Sequence, residues 1–385
     1  MVSRGVLAVG HEDGGVVLHV PSRREAGRVL GDTAHPGRAH SGRVLSVAMS
    51  ADGRTVASAS ADRSWKLWDV ASGVERLCVK GHDSLGECVC QRRCPVFGSV
   101  EPDASCSVKG HISPVNAIAL CGEMVATGGG DGVILWDQSG EVRWEGEEGK
   151  MEWVWALAFS PNCKHLAVGD AHGCVSVLGV GNGATIRVIQ PVQASRIYTV
   201  CYSPDGLRLA FGGSGGEVKV WDTGTWEELR VLPGHTTAAV RAVAFRPDGR
   251  FLASGSMDNA VSVWDHAEGK ALPTLATGSP HPPWGPPPPA GVRAVVFSPD
   301  GRTLASGHAD GTLTVWDGRT TLTTFGARHY VHDFGAQVLA LAFGRDCVRD
   351  ERCVAFAMGH HERLGATSRV GALDAGVVRL VLDAM

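Results

Sequence analysis

The sequence predicts an all-β fold of four-stranded antiparallel sheets stacked around an axis, and three observations predict it. A turn-like tetrad recurs as SADG (50–53), SPNC (160–163), SPDG (203–206), RPDG (246–249) and SPDG (298–301), three of them at a 43-residue interval. The dipeptide Trp-Asp recurs at Trp68, Trp136, Trp221, Trp264 and Trp316, and Leu178 stands where one more Trp would fall. Between these marks, apolar residues alternate at period two in runs too short for helices. A fixed period of this length marks a repeat architecture before any local reading is made.

One unit, Val240 to Leu275, shows how each element arises. Its apolar runs are broken by Asp-Gly, Asp-Asn and Ala-Glu-Gly, which are tight-turn pairs. Four short strands joined by such turns form a sheet that cannot cover both of its own faces. Neighbouring units must therefore pack face to face, and radial packing closes them into a β-propeller. Complete units begin near Gly42, Ile112, Met151, Ser195, Ala239 and Gly291. The start carries VLAVGHEDG and GVVLHV, which align with the second and third strands of a unit, followed by GRVL. The end supplies a first strand at Gln337–Gly344, then RCVAFAMG and VVRLVLDA. Seven blades result if the Gln337 strand completes the sheet begun at Val6; eight is the alternative. Residues 1–385 are expected to form this one domain, with a Cys-rich insertion at about 83–107 and a Pro-rich one at 278–290.

These units resemble WD40 repeats, in the order G-H, S-P-D-G, L-A-S-G-S-x-D and V-x-V-W-D. The resemblance implies a buried hydrogen-bonded set in each unit: a His before the first strand, a Ser or Thr in the second, an Asp in the next turn and the Trp of the third. His40, Ser58, Asp62 and Trp68 match, as do His235, Ser254, Asp258 and Trp264. His111, Thr127, Asp131 and Trp136 match with a shorter Asp-to-Trp spacing, and Ser306, Asp310 and Trp316 form a set without the leading His. A Ser, His and Asp together also suit acyl transfer. A catalytic triad is needed once, however, whereas this constellation recurs blade after blade. Val168, His172 and Leu178, and then Phe211 and Gly215, replace the set in two units, which are expected to rest on packing.

Composition narrows the function. The 36 Lys and Arg nearly balance 40 Asp and Glu, for a net charge of −4, so no global field draws nucleic acid or an anionic membrane. No apolar run suits a signal peptide or a membrane span. Eleven cysteines, with Cys121, Cys163, Cys174 and Cys201 set singly in strand-like surroundings, read as reduced thiols in the cytosol or nucleus. Cys88, Cys90, Cys94 and Cys106 lack the paired spacing of a zinc knuckle, and the run 280–289 reads as a stiff loop between blades. No phosphate-binding loop or hydrolase signature appears. No cofactor, metal, nucleic acid or membrane partner is therefore expected.

The resemblance implies a non-catalytic scaffold that holds proteins or peptides and assembles a multiprotein complex. Arg43, Trp153 and Arg196 stand just before first strands, with Trp155 two residues inside one, and Arg and Trp are enriched at interface hot spots. A narrower alternative is a substrate receptor of a cullin-RING ubiquitin ligase, since Trp316, Asp317, Gly318 and Arg319 resemble the W-D-x-R ending of such receptors. A rival of another class, an enzyme or ligand-binding propeller, would need polar groups facing the central channel, where the first strands are read as offering mostly Ala and Val.

Overall fold

The computed structural model describes residues 6–19, 28–30, 39–81, 110–146, 153–190, 195–232, 235, 238–271, 275–276, 291–317, 320–325 and 338–344. Residues 348–385 lie outside the described residues, as do both insertions and the expected strands after Gly344. All described regular structure is strand, in seven sheets.

Blade 1 joins β1 (Val6–His11), β2 (Val16–His19) and β3 (Arg28–Leu30) to β29 (Val338–Gly344). Blade 2 holds β4 (Val44–Met49), β5 (Thr55–Ser60), β6 (Ser64–Asp69) and β7 (Glu75–Lys80). Blade 3 holds β8 (Val115–Cys121), β9 (Met124–Gly129), β10 (Gly132–Asp137) and β11 (Val142–Glu145). Blade 4 holds β12 (Val154–Phe159), β13 (His165–Asp170), β14 (Val175–Gly179) and β15 (Thr185–Ile189). Blade 5 holds β16 (Ile197–Tyr202), β17 (Arg208–Gly213), β18 (Val218–Asp222) and β19 (Glu228–Leu232). In blade 6, β20 (Val240–Phe245), β21 (Phe251–Ser256) and β22 (Ala260–Asp265) are followed by two short pieces, β23 (Lys270–Ala271) and β24 (Leu275–Ala276), both paired to β22. Blade 7 holds β25 (Val292–Phe297), β26 (Thr303–His308), β27 (Leu313–Asp317) and β28 (Thr320–Phe325).

The innermost strands neighbour one another in the order β29, β4, β8, β12, β16, β20, β25 and back to β29, so the sheets form a closed propeller ring. Closure is made by hydrogen bonds between the chain's first and last described strands: Ala8 pairs with Ala342 and Gly10 with Ala340, antiparallel. An apolar cluster fills each junction between blades. At the closing junction Leu7 and Val9 of blade 1 meet Ala305, Leu313 and Val315 of blade 7. Burial peaks in the second strand and is least in the outermost: all six residues of β5 are buried, the inner strand β4 buries two of its six, and β15 and β19 bury only their last.

The tetrad works as a self-bonded turn. Ser298 Oγ donates to Asp300 Oδ1 at 2.6 Å and accepts from Thr303 N at 3.0 Å, and Asp300 Oδ1 accepts from Arg302 N at 3.1 Å. Its last residue adopts a left-handed backbone, φ 68° at Gly301 and 70° at Gly249, which Gly reaches without steric cost. In blade 4 that position is Cys163, at φ 54°.

Cys121 and Cys163, expected as separate thiols, are joined in a disulfide. Cys121 ends the inner strand of blade 3 and Cys163 tips the tight turn of blade 4, with Cα atoms 5.8 Å apart. Their separation of 42 residues is one blade, so ring geometry brings them together where no local motif could announce it. Cys174 and Cys201 are thiols, and burial pushes Cys201 up to about 12.

A glycine in the second strand of several blades lets the next blade come close. A Cβ built on Gly255 would stand 2.5 Å from Val292 Cγ1 and 2.9 Å from Val295 Cγ1, both buried in the next blade's inner strand. Gly128 meets Val154, Gly169 meets Ile197 and Gly212 meets Val240 in the same way. Gly255→Ala should therefore overpack the junction and lower the unfolding free energy by about 1–3 kcal/mol, read by chemical denaturation. The same substitution at Gly181, which has open space around it, should cost far less.

Candidate functional site

The repeated polar residues meet in closed networks. In blade 3, His111 Nε2 lies 2.8 Å from Thr127 Oγ1 and Nδ1 lies 2.8 Å from Asp131 Oδ1. Trp136 Nε1 donates to Thr127 Oγ1 at 2.7 Å, and Ile112 N donates to Asp131 Oδ2 at 2.8 Å. In blade 6, His235 lies 2.9 Å from Ser254 Oγ and 2.8 Å from Asp258 Oδ2, while Trp264 Nε1 donates to Ser254 Oγ at 3.0 Å. In blade 2, His40 Nε2 lies 2.7 Å from Ser58 Oγ and Trp68 Nε1 donates to the same oxygen at 2.9 Å. There His40 Nδ1 faces Ser64 Oγ at 2.9 Å and Asp62 Oδ2 at 3.3 Å. Each imidazole thus bridges a carboxylate on its Nδ1 side and a hydroxyl on its Nε2 side.

Blade 7 builds its set differently. Trp316 Nε1 donates to Ser306 Oγ at 3.2 Å, but the imidazole beside Ser306 is His308, at 3.0 Å and from the same strand. Asp310 instead holds its own turn, accepting from Thr312 N and Oγ1 at 2.9 and 2.6 Å. The only sequence signal was the His of LASGHAD standing where blades 2, 3, 5 and 6 carry Ser or Gly; blade 4 has Asp170 there and blade 1 has His11.

These hydroxyls are not nucleophiles open to substrate. Ser58, Thr127, Ser254 and Ser306 are each 0% exposed, and each has an indole and an imidazole on its single oxygen. Where the set is replaced, packing takes over: Val168 and Leu178 are buried in blade 4, and Phe211 leans on Trp221 in blade 5. Without a hydroxyl there, Trp221 Nε1 is buried with no hydrogen-bond partner.

A second arrangement surrounds the axis. In every blade the second residue of the inner strand is skipped by the pairing with its neighbour, a bulge: Leu339, Leu45, Asn116, Trp155, Tyr198, Arg241 and Arg293. A bulge re-aims the side chain it carries. In four successive blades, 4 to 7, the bulged residues are two aromatics followed by two arginines. Trp155 and Tyr198 meet edge to face at 5.9 Å, and the Arg241 guanidinium lies 4.0 Å from the centre of the Tyr198 ring. Burial lowers Arg241 from its ordinary value, and the charges of Arg293 and Arg196 add to the effect against Tyr198. The reading that first strands offer mostly Ala and Val here is corrected: it followed the period-two pattern, which the bulge breaks.

Of the residues singled out from sequence, Trp155 and Arg196 lie in this group and Tyr198, Arg241 and Arg293 were missed. Trp153 stands just before β12, 54% exposed, with a left-handed backbone at φ 58°. Arg43 is exposed in blade 2 and pairs with Glu12 at 2.9 Å. Trp316 of the W-D-x-R run is buried and given over to Ser306, and Arg319 lies outside the described residues. Among the described residues no group of three or more His, Cys, Asp and Glu could hold a metal ion, and no helix is long and apolar enough to cross a membrane.

The family described as "WD domain, G-beta repeat" matches residues 33–69, 145–177, 185–222, 226–265 and 286–317. The stretch 226–265 takes in the outer strand of blade 5 and the first three strands of blade 6, so a sequence repeat straddles two sheets. The nuclear distribution protein nudF of Emericella nidulans is 29% identical over 124 residues, 32% of this chain and 26% of that protein. The nuclear distribution proteins PAC1-1 and PAC1-2 of Uncinocarpus reesii are 31% and 33% identical over 129 and 134 residues, 33% and 34% of this chain. The match spans about a quarter of the length of each of these relatives.

The networks carry a pH signature. Burial raises the Asp62 carboxyl, but hydrogen bonds from His40 and Ser64 and the His40 charge outweigh it and leave it well below the usual range. Asp131 is lowered in the same way through His111, Ser113 and Ile112. A carboxyl lowered by folding adds stability above its unfolded value, about 3.9, and that stability is lost as pH falls through the folded value. Urea denaturation between pH 7 and pH 3 should therefore show a steep loss below about pH 4. Asp62→Asn with Asp131→Asn should start less stable at pH 7 and lose less over that range.

Proposed function

This chain belongs to the WD40-repeat family of β-propellers, and on that premise we propose that it is a non-catalytic protein-interaction scaffold that assembles a multiprotein complex. The observation that carries the reading is Trp153. A bulky residue held at positive φ costs of the order of 1–3 kcal/mol, and an indole left 54% exposed there offsets only part of it by burial. Such a residue is expected where a partner covers it, and Trp is among the types that dominate interface energies. Trp153 stands at the same end of the ring as Arg43, Arg196 and the bulged residues around the axis, all at or just before the starts of inner strands. The proposal has proteins or peptides engaging that end.

The networks support the non-catalytic part of the reading, because their hydroxyls serve as internal acceptors. The proposal includes an intracellular site of action. It draws on the names of the relatives, which attach those proteins to nuclear distribution.

Affinity purification of tagged full-length chain, wild type against Trp153→Ala, tests the reading. Trp153→Ala should keep the melting temperature and lose at least one protein that the wild type captures reproducibly. Identical captured sets, matched by a heat-unfolded control, would contradict it.

A further inference from the structure

The four successive bulged residues Trp155, Tyr198, Arg241 and Arg293 leave polar groups with nothing to bond. Arg241 Nε, Arg293 Nε and Trp155 Nε1 are buried with no hydrogen-bond partner. Buried donors in native proteins are normally paired, and an unpaired one costs about 1–3 kcal/mol. Arg241 and Arg293 are close enough for their charges to repel, and Arg196 adds to the same field. Among the described residues no carboxylate pairs with any of the three, although Arg43, Arg143 and Arg250 elsewhere each have one. The connections that lead into the inner strands of blades 5, 6 and 7, residues 190–196, 233–239 and 272–291, contain no Asp or Glu, whereas the one that leads into blade 4 contains Glu147, Glu148 and Glu152. The nearby turn acid Asp258 is engaged by His235, and Asp310 by its own turn.

From this we propose that the mouth of the ring between blades 4 and 7 binds an acidic peptide segment of a partner, with Arg241 and Arg293 receiving its carboxylates, Trp155 Nε1 donating a hydrogen bond and Tyr198 bracing the guanidinium. This rests on the scaffold reading and names the chemistry of the partner. A guanidinium presents a planar fork of donors that matches a carboxylate, and an aromatic face beneath it holds that fork in place. An acidic peptide fits better than a nucleic acid. The rest of the bulged ring is Leu339, Leu45 and Asn116, all uncharged, whereas a nucleic-acid strand needs a basic track along several phosphates. The apolar ring members suit the aliphatic parts of a peptide.

The test uses the full chain and a fluorescein-labelled octaglutamate peptide, with a Gly-Ser peptide of equal length and a single-stranded DNA octamer as comparisons. Wild type should bind the glutamate peptide with an affinity that falls as salt is raised, and bind neither comparison as well. Arg241→Gln and Arg293→Gln should each weaken it about tenfold or more. Trp155→Phe, which keeps a ring and removes the N–H, should weaken it less, and Arg187→Gln on outer strand β15 should leave it unchanged. Thermal melts of each variant confirm folding. Equal binding by wild type and a folded Arg241→Gln/Arg293→Gln double variant, or tighter binding of DNA than of peptide, would overturn the proposal. If the double variant binds the peptide normally while Trp153→Ala still loses captured proteins, the acidic-peptide assignment fails and the scaffold reading stands. If the peptide result holds while Trp153→Ala loses nothing, the scaffold reading fails instead.

Discussion

No sheet in this protein can keep its own faces dry. Each blade is a four-stranded ribbon with apolar residues on both sides, and each depends on the two beside it. The dependence runs unbroken around the axis only because Val338–Gly344 hydrogen-bonds to Val6–His11. Without that pairing blades 1 and 7 would each expose a face, and β1 would present an open edge of the kind that templates aggregation. The straddling sequence repeat reinforces the point, since the outer strand encoded with one unit belongs to the preceding sheet.

The same constraint separates structural polar groups from available ones. Thr127, Trp136 and His111 are shut off from solvent, so such groups satisfy one another, and Trp136, Thr127, His111 and Asp131 form one hydrogen-bonded circuit from indole to carboxylate. A Ser, His and Asp in such a circuit hold a turn and a strand together. Around the axis the requirement relaxes, because the inner strands have no further strand to pair with. There the bulged residues differ from blade to blade, Asn116 in one and Trp155 in the next, Tyr198 and then Arg241, while the residue before each stays Val or Ile.

Much of the architecture was legible because it is periodic: the tetrads, the Trp-Asp pairs and the Gly of the second strand each mark a fixed place in a blade. Closure was legible from the lone first strand at Gln337 and the missing one before Val6. The site was harder to see for physical reasons. Tyr198, Arg241 and Arg293 occupy a position where a bulge breaks alternation, so a period-two reading passes over them. His308 replaces a loop His from within a strand, which no fixed spacing reveals. The Cys121–Cys163 bridge depends on two adjacent blades placing an inner-strand end beside a turn, a relation written in the ring and absent from either local sequence.

The functional account needs a rigid rim, because Trp153 and the axial arginines sit on different blades and can act together only if the blades keep their places. Hydrogen–deuterium exchange on the full chain tests that rigidity directly. Amides of 338–344 and 6–11 should be protected as long as those of the inner strands of blades 3 to 6, and all should exchange in one cooperative opening. Rapid exchange at 338–344 with lasting protection in blades 3 to 6 would show an open row of sheets and contradict the account.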